Sequence, residues 1–220
     1  CSGTNRVLMV GVVAATNVVT GVTYAGAAMT QVATRAASGT AQLYLYALAN
    51  PASGANNVVI SASASVGLRG QSASYTGAAQ SGQPDASNSA ANNGVSNGSW
   101  TGVSVTTVAD NCWSVMVTVK TGAGNPSAGG GATVRQSAGS MGFFDSNSAK
   151  TPAGSYGMNA LAFDGTQNWA LIIASIAPVP PITQISITDS GVGVDTISEK
   201  TRTTVSDTGT GTDSLSEKTR

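Results

Sequence analysis

The chain has 220 residues, ten basic and ten acidic side chains, no histidine, and only 9% charged residues, against about a quarter in an average soluble domain. A formal net charge of zero gives no electrostatic case for nucleic acid or an anionic membrane surface as a partner. Without histidine, Ser-His-Asp and Cys-His catalysis and every histidine-ligated metal site are excluded.

Hydroxyl and amide side chains must therefore coat the surface. No run of 18 apolar residues occurs, so no membrane span is expected. The sequence begins at Cys1 without Met, as a processed chain or a segment of a longer product would. Cys1 and Cys112 are candidates for a disulfide in an oxidising compartment; free or intermolecular thiols are the alternative. Cys1-Ser2-Gly3 would also suit the mature end of a lipoprotein.

In chain order, RVLMVGVVA from Arg6 is a near-continuous β-branched run, the pattern of a strand covered on both faces. VVTGVTYAG and AAMTQVAT are short alternating segments broken by Gly21 and Gly26. TAQLYLYAL (Thr40 to Leu48) puts Leu43 and Leu45 on one face and Tyr44 and Tyr46 on the other. Asn50-Pro51-Ala52-Ser53-Gly54 is a turn by its chemistry, and NNVVISASAS then reads as the partner strand of a hairpin. Gln71 to Trp100 is the least periodic part and reads as a long loop. GVSVTTV and CWSVMVTVK return to strand pattern. Gly122–Ala132 (GAGNPSAGGGA) is a glycine-rich loop, and SMGFF, SYGMNALAF and NWALIIASIA close the body. The apolar runs Val7–Ala14 and Ala170–Ile176 fit strands that meet in the middle of one sheet.

Ten to twelve short strands with frequent turn signals, and no sustained 3.6 period, predict an all-β fold: a jelly-roll-like antiparallel β-sandwich. The expected domains are a sandwich over residues 1–177, a Pro-rich linker over 178–184 and an extended arm over 185–220. The arm says one thing twice, ISITDSGVGVDTISEKTR and then TTVSDTGTGTDSLSEKTR. The two 18-residue units agree at nine positions. Internal repetition at a fixed period marks a unit too small to bury a core alone. The arm also differs in material, since it carries six of the ten acids and four of the ten bases.

The order NRVLMVGV, VTYAGAAMTQVAT, LYLYALANPASGANNVVISAS, SYTGAAQ, the strand before Trp113 and NWALIIASIAP resembles a concanavalin/LamG-like β-sandwich module of tailed-phage virion proteins and environmental surface proteins. The arm pattern D-[ST]-G-x-G-x-D-[ST]-[IL]-S is similar to low-complexity repeats that follow such modules. The resemblance implies a virion or extracellular cell-surface location and a structural role, not an activity. Some relatives of this sandwich class bind glycans, often with calcium and aromatic platforms.

Glycosidase chemistry needs two facing carboxyl groups, and the body offers only Asp85, Asp110, Asp145 and Asp164, each beside turn residues; a non-enzyme is expected. Gly122–Ala132 lacks the Lys-Ser/Thr ending of a phosphate loop and any following helix, so a flexible loop is the better reading. Asp189, Asp195, Asp207 and Asp213 have spacing that would suit Ca²⁺, but turns between short extended segments explain them as well, and no other cofactor is implied. Trp113 and Trp169 read as core, whereas Tyr75 and Trp100 flank the long polar stretch and are candidate glycan contacts. Asn97-Gly98-Ser99 matches a glycosylation sequon.

Thr/Ser/Val-rich segments in isolation do not offset an ordering entropy of about 1–2 kcal/mol per residue. The arm therefore needs a partner, and Ile185, Ile187, Val192, Val194, Ile197, Val205 and Leu215 are its candidate contact residues. Strand addition to a neighbouring subunit makes the chain a self-assembling homo-oligomer or polymer, with other virion or surface proteins as further partners. A displayed glycan-binding module is the alternative.

Overall fold

The computed structural model describes residues 1–37, 41–95, 98–99, 102–162 and 166–181, and the backbone of 196–197 and 214–215. The chain divides into two compact units, Cys1–Val179 and Pro180–Arg220. The border falls after Val179 because Pro178 bridges Ala78 and the Val179 amide donates to the Gly77 carbonyl at 2.8 Å. Two residues expected in the linker thus close the body.

In the first unit the strands are β1 (Val7–Ala14), β2 (Val19–Tyr24), β3 (Ala27–Ala28), β4 (Thr30–Ala37), β5 (Ala41–Ala49), β6 (Val58–Ala62), β7 (Leu68–Tyr75), β8 (Ala86–Val95) and β9 (Gly98–Ser99). They continue as β10 (Val103–Thr106), β11 (Trp113–Lys120), β12 (Ser127–Ala128), β13 (Thr133–Ala138), β14 (Met141–Asp145), β15 (Ser155–Met158), β16 (Ala160–Ala162) and β17 (Gln167–Ile176). The second unit contributes β18 (Thr196–Ile197) and β19 (Ser214–Leu215). No helix occurs among the described residues, so none is long and apolar enough to cross a membrane.

The expected all-β antiparallel sandwich forms from two sheets, ordered β4-β5-β1-β7 and β13-β14-β11-β17-β8. Between them lies the main core. Val7, Met9 and Val13 of β1 and Leu43 and Leu45 of β5 meet Val115, Val117 and Val119 of β11, Phe143 of β14, and Ile172 and Ile176 of β17. Each such side chain stabilises the fold by about 1.5–3 kcal/mol through burial.

Both sheets are covered on their outer faces too. Leu8, Val10 and Val12 of β1, with Tyr44 and Tyr46 of β5, are buried under Val22 and Tyr24 of the small β3-β2-β6 sheet. On the other side, Met116, Phe144, Leu171 and Ile173 are buried under Val103 and Val105 of β10, Met158 of β15 and Ala160 of β16. This explains why β1 is apolar at every position: alternate residues feed two different cores. The Leu43/Leu45 and Tyr44/Tyr46 alternation has the same origin.

Three expectations about pairing are corrected. Val7–Ala14 and Ala170–Ile176 do not share a sheet; β1 lies between β5 and β7, β17 lies between β11 and β8, and the two strands face each other across the core. NNVVISA is not the hairpin partner of β5, because β6 pairs with β2 while β5 pairs with β1 and β4. The stretch from Gln71 to Trp100 is not one long loop. It contains the end of β7 and the whole of β8, which pairs antiparallel with β17 from Ser175↔Ala86 to Gln167↔Val95. Ladder bonds use the backbone, so a polar edge strand needs no apolar alternation, and polar side chains are what protects such an edge.

Candidate functional site

The body gathers its chemistry-bearing side chains at the end of the sandwich where Tyr75 finishes β7 and Trp113 opens β11. Both rings pack partly on the main core, with centroids 6.3 Å apart and planes tilted by 48°. Beside them is an open cleft of about 390 Å³ whose lining includes Ser2, Ser74, Tyr75, Asn111, Trp113 and Pro178. The Trp113 indole nitrogen is buried and has no hydrogen-bond partner among the described residues.

Behind the rings is Asp145, the last residue of β14 and only 1% exposed. Its Oδ2 accepts from the Tyr75 hydroxyl at 3.1 Å and from Arg135 Nε at 2.5 Å, and its Oδ1 accepts from the Asn147 amide at 2.9 Å. Arg135 also donates from its Nη2 to Asn147 Oδ1 at 2.6 Å. Burial first, then the Asp145 charge and hydrogen bond, push the Tyr75 hydroxyl far above the usual phenol range. The hydrogen bond to Asp145 likewise raises Arg135. A carboxylate with three donors and an opposite charge beside it holds these strands together.

Asp85 forms a second cluster. Its Oδ2 accepts from the Val108 amide at 2.7 Å, from Ser175 Oγ at 3.2 Å and from the Cys112 thiol at 3.5 Å. That carboxylate ties the entry of β8 to the end of β17 and to the loop before β11. Burial and the adjacent Asp85 push the Cys112 thiol up to about 11, so it is held as the neutral, unreactive form. Asp110 is exposed and accepts from the Ala153 amide at 2.6 Å.

These positions revise several expectations. Asp145 is a buried strand residue rather than a turn residue. Asp85 and Asp110 do anchor loops, and Asp164 lies outside the described residues. Cys1 and Cys112 are both free: Cys1 packs on the outer face of the first sheet with its amine on the Gly54 carbonyl at 2.8 Å, whereas Cys112 is buried beside Asp85. A Cys1–Cys112 bridge is therefore absent. Trp169 is core at 1% exposed; Trp113 is only half-buried and becomes the neighbour of Tyr75.

Part of the Gly122–Ala132 segment is pinned rather than loose. The Gly129 amide donates to the Asn159 carbonyl at 3.0 Å, and the Asn159 amide donates to the Gly130 carbonyl at 3.1 Å. At Gly131, with φ at +72°, a Cβ would sit 2.4 Å from the Gly157 carbonyl oxygen, so glycine is required there.

Trp100, the Asn97 of the sequon and the acidic set Asp189, Asp195, Asp207 and Asp213 lie outside the described residues. So do Ile185, Ile187, Val192, Val194 and Val205; Ile197 and Leu215 are described as backbone only. No group of three or more Cys, Asp or Glu suited to a metal ion occurs among the described residues. The partner of Tyr75 was legible in hindsight only as an aromatic at the start of a strand pattern. Compared with known proteins, the chain matches no family model, no curated sequence and no solved structure.

Proposed function

We propose that the chain is a non-catalytic structural protein that self-assembles, and that its C-terminal repeats contact neighbouring subunits in a phage virion component (decoration, tail or fibre) or an extracellular filament. The observation that carries this reading is β18 lying parallel to β19: one repeat pairs with the next through backbone that any further copy also possesses. Asp85 and Asp145 are engaged in structural hydrogen bonds, which supports a body without acid–base chemistry. The test compares the full chain with a variant ending at Pro180 by size-exclusion chromatography and negative-stain microscopy. The three apolar cores lie within Cys1–Val179, so the shortened chain keeps its means of folding. Assembly of the full chain and a monomeric truncation are expected; a full chain that stays monomeric at high concentration refutes the reading.

A second reading, a displayed glycan-binding module, is favoured by one observation: the tilted Tyr75–Trp113 pair beside an open cleft, with polar Ser2, Ser74 and Asn111 at its wall. Of the two expected contacts Tyr75 is here joined by Trp113, while Trp100 lies outside the described residues. Specific sugar binding on a glycan array, lost in Trp113→Ala and kept in the Pro180 truncation, would favour this reading over the first.

A further inference from the structure

The pairing of β18 with β19 holds more than the fact of contact. It is parallel, and its partners are Thr196 with Ser214 and Ile197 with Leu215. In each case the partner lies eighteen residues further along, which is the period of the repeat. Thr196 and Ser214 are the same position of the two units, as are Ile197 and Leu215. A parallel pair needs a crossover of a dozen or more residues, and one repeat supplies it. The register is therefore that of equivalent positions stacked one repeat apart, the arrangement of a solenoid coil.

Resting on the assembly reading, we propose that the repeats stack in register as successive coils, and that the first repeat of a second copy of this chain continues the stack on the edge of β19 away from β18. Among the described residues the sheet has two strands, so each strand has one edge without a described partner. Whatever favours β19 beside β18 favours an identical strand beside β19, because the second copy offers the same residues at the same spacing. The contact is heterologous: the first repeat of one copy meets the second repeat of another. Each copy adds two coils, and a translation along the stack does not close the chain of contacts, so it propagates as a filament. In-register stacking would bring equivalent positions together, and at the charged ones the two repeats carry the same charge in the sequence: Asp195 and Asp213, Glu199 and Glu217, Lys200 and Lys218. Salt then strengthens association by screening repulsion, where an antiparallel or staggered pairing of opposite charges would be weakened.

The test uses full-length chains carrying Cys1→Ser and Cys112→Ser, with Thr196→Cys in one preparation and Ser214→Cys in the other. Each is checked for assembly by light scattering, then oxidised mildly alone and mixed. Cysteines more than about 7 Å apart between Cα atoms cannot bridge, so cross-linking reports the register. The expected result is a mixed dimer formed at least about tenfold faster than either homodimer, on the geometric limit of a disulfide, with assembly rising from low to high salt. If the chains assemble but the mixed cross-link has no excess, or if salt dissolves the assembly, the stacking is wrong while the structural role survives. If no variant and no unmodified chain assembles, the structural role itself fails and the stacking of copies falls with it.

Discussion

At Gly11 the backbone of the first sheet comes close against side chains of the second. It lies in the middle of β1, paired with Leu45 on one side and Gln71 on the other. A Cβ built there would lie 2.7 Å from Val117 Cγ1 and 2.8 Å from Met141 Cε, whereas carbon atoms rest at about 3.5–4.0 Å. Met141 can swing its terminal methyl aside. Val117 cannot follow easily, because a β-branched side chain is stiff at χ1 and its strand is clamped between β14 and β17.

Gly11→Ala should therefore cost about 1–3 kcal/mol of overpacking, offset by about 0.5–1 kcal/mol from the lower backbone entropy of alanine in a strand. With the stiff Val117 only 2.7 Å away the cost falls in the upper part of that range, so the net loss is about 1–2 kcal/mol, a fall in Tm of roughly 2–8 °C for a domain of this size. Equilibrium unfolding in urea measures it. Val117→Ala removes the clashing methyl, so the double variant should lose about 1 kcal/mol less than the two single losses together. A neutral or stabilising Gly11→Ala, or strict additivity in the cycle, would refute the claim that the inter-sheet distance is set at Gly11.

Asp145→Ala leaves the Tyr75 hydroxyl and Arg135 Nε without their acceptor and should destabilise by about 1–3 kcal/mol, nearer the lower end because Arg135 is 38% exposed and screened by solvent; Arg135→Ala in the same background should then add little. Cys112 is pushed up from 9.0 to about 11, so the folded state holds its proton more tightly than the unfolded chain does. Stability from this group is complete below about pH 9 and is lost as pH rises through 11, and Cys112→Ser should remove that part of the alkaline decline in denaturant titrations. At pH 8 a thiol reagent should label Cys1 rapidly and Cys112 only in the unfolded chain; equal rates would contradict the burial of Cys112. Tyr75 is likewise raised above 10 by burial and by Asp145, so stability should fall further above about pH 10, less steeply in Tyr75→Phe; an unchanged slope in that variant would exclude the Tyr75 hydroxyl as the titrating group.

The sequence by itself determined the fold class, because strand pattern is a local property. The all-apolar run Val7–Ala14 announced a strand with two covered faces, and Leu43-Tyr44-Leu45-Tyr46 announced the division of β5 between two cores. Repetition from Ile185 onward is legible as an 18-residue period, and the parallel register of β18 and β19 uses the same period.

Only the tertiary structure decided which strands meet. Pairing is made by backbone groups that every residue carries, so nothing in NNVVISA could say that its partner is β2 and not β5. Ala86–Val95, with its Ser and Asn side chains, becomes a strand because β17 presents an unpaired edge beside it. The site followed the same logic. Tyr75, Trp113, Asp145 and Arg135 come from four strands in two sheets, and what unites them is the end of the sandwich, a place that exists only once the sheets have stacked. The carboxylate of Asp145 reads as a turn residue in one dimension. In three it is a buried acceptor for donors drawn from β7, β13 and the loop after β14.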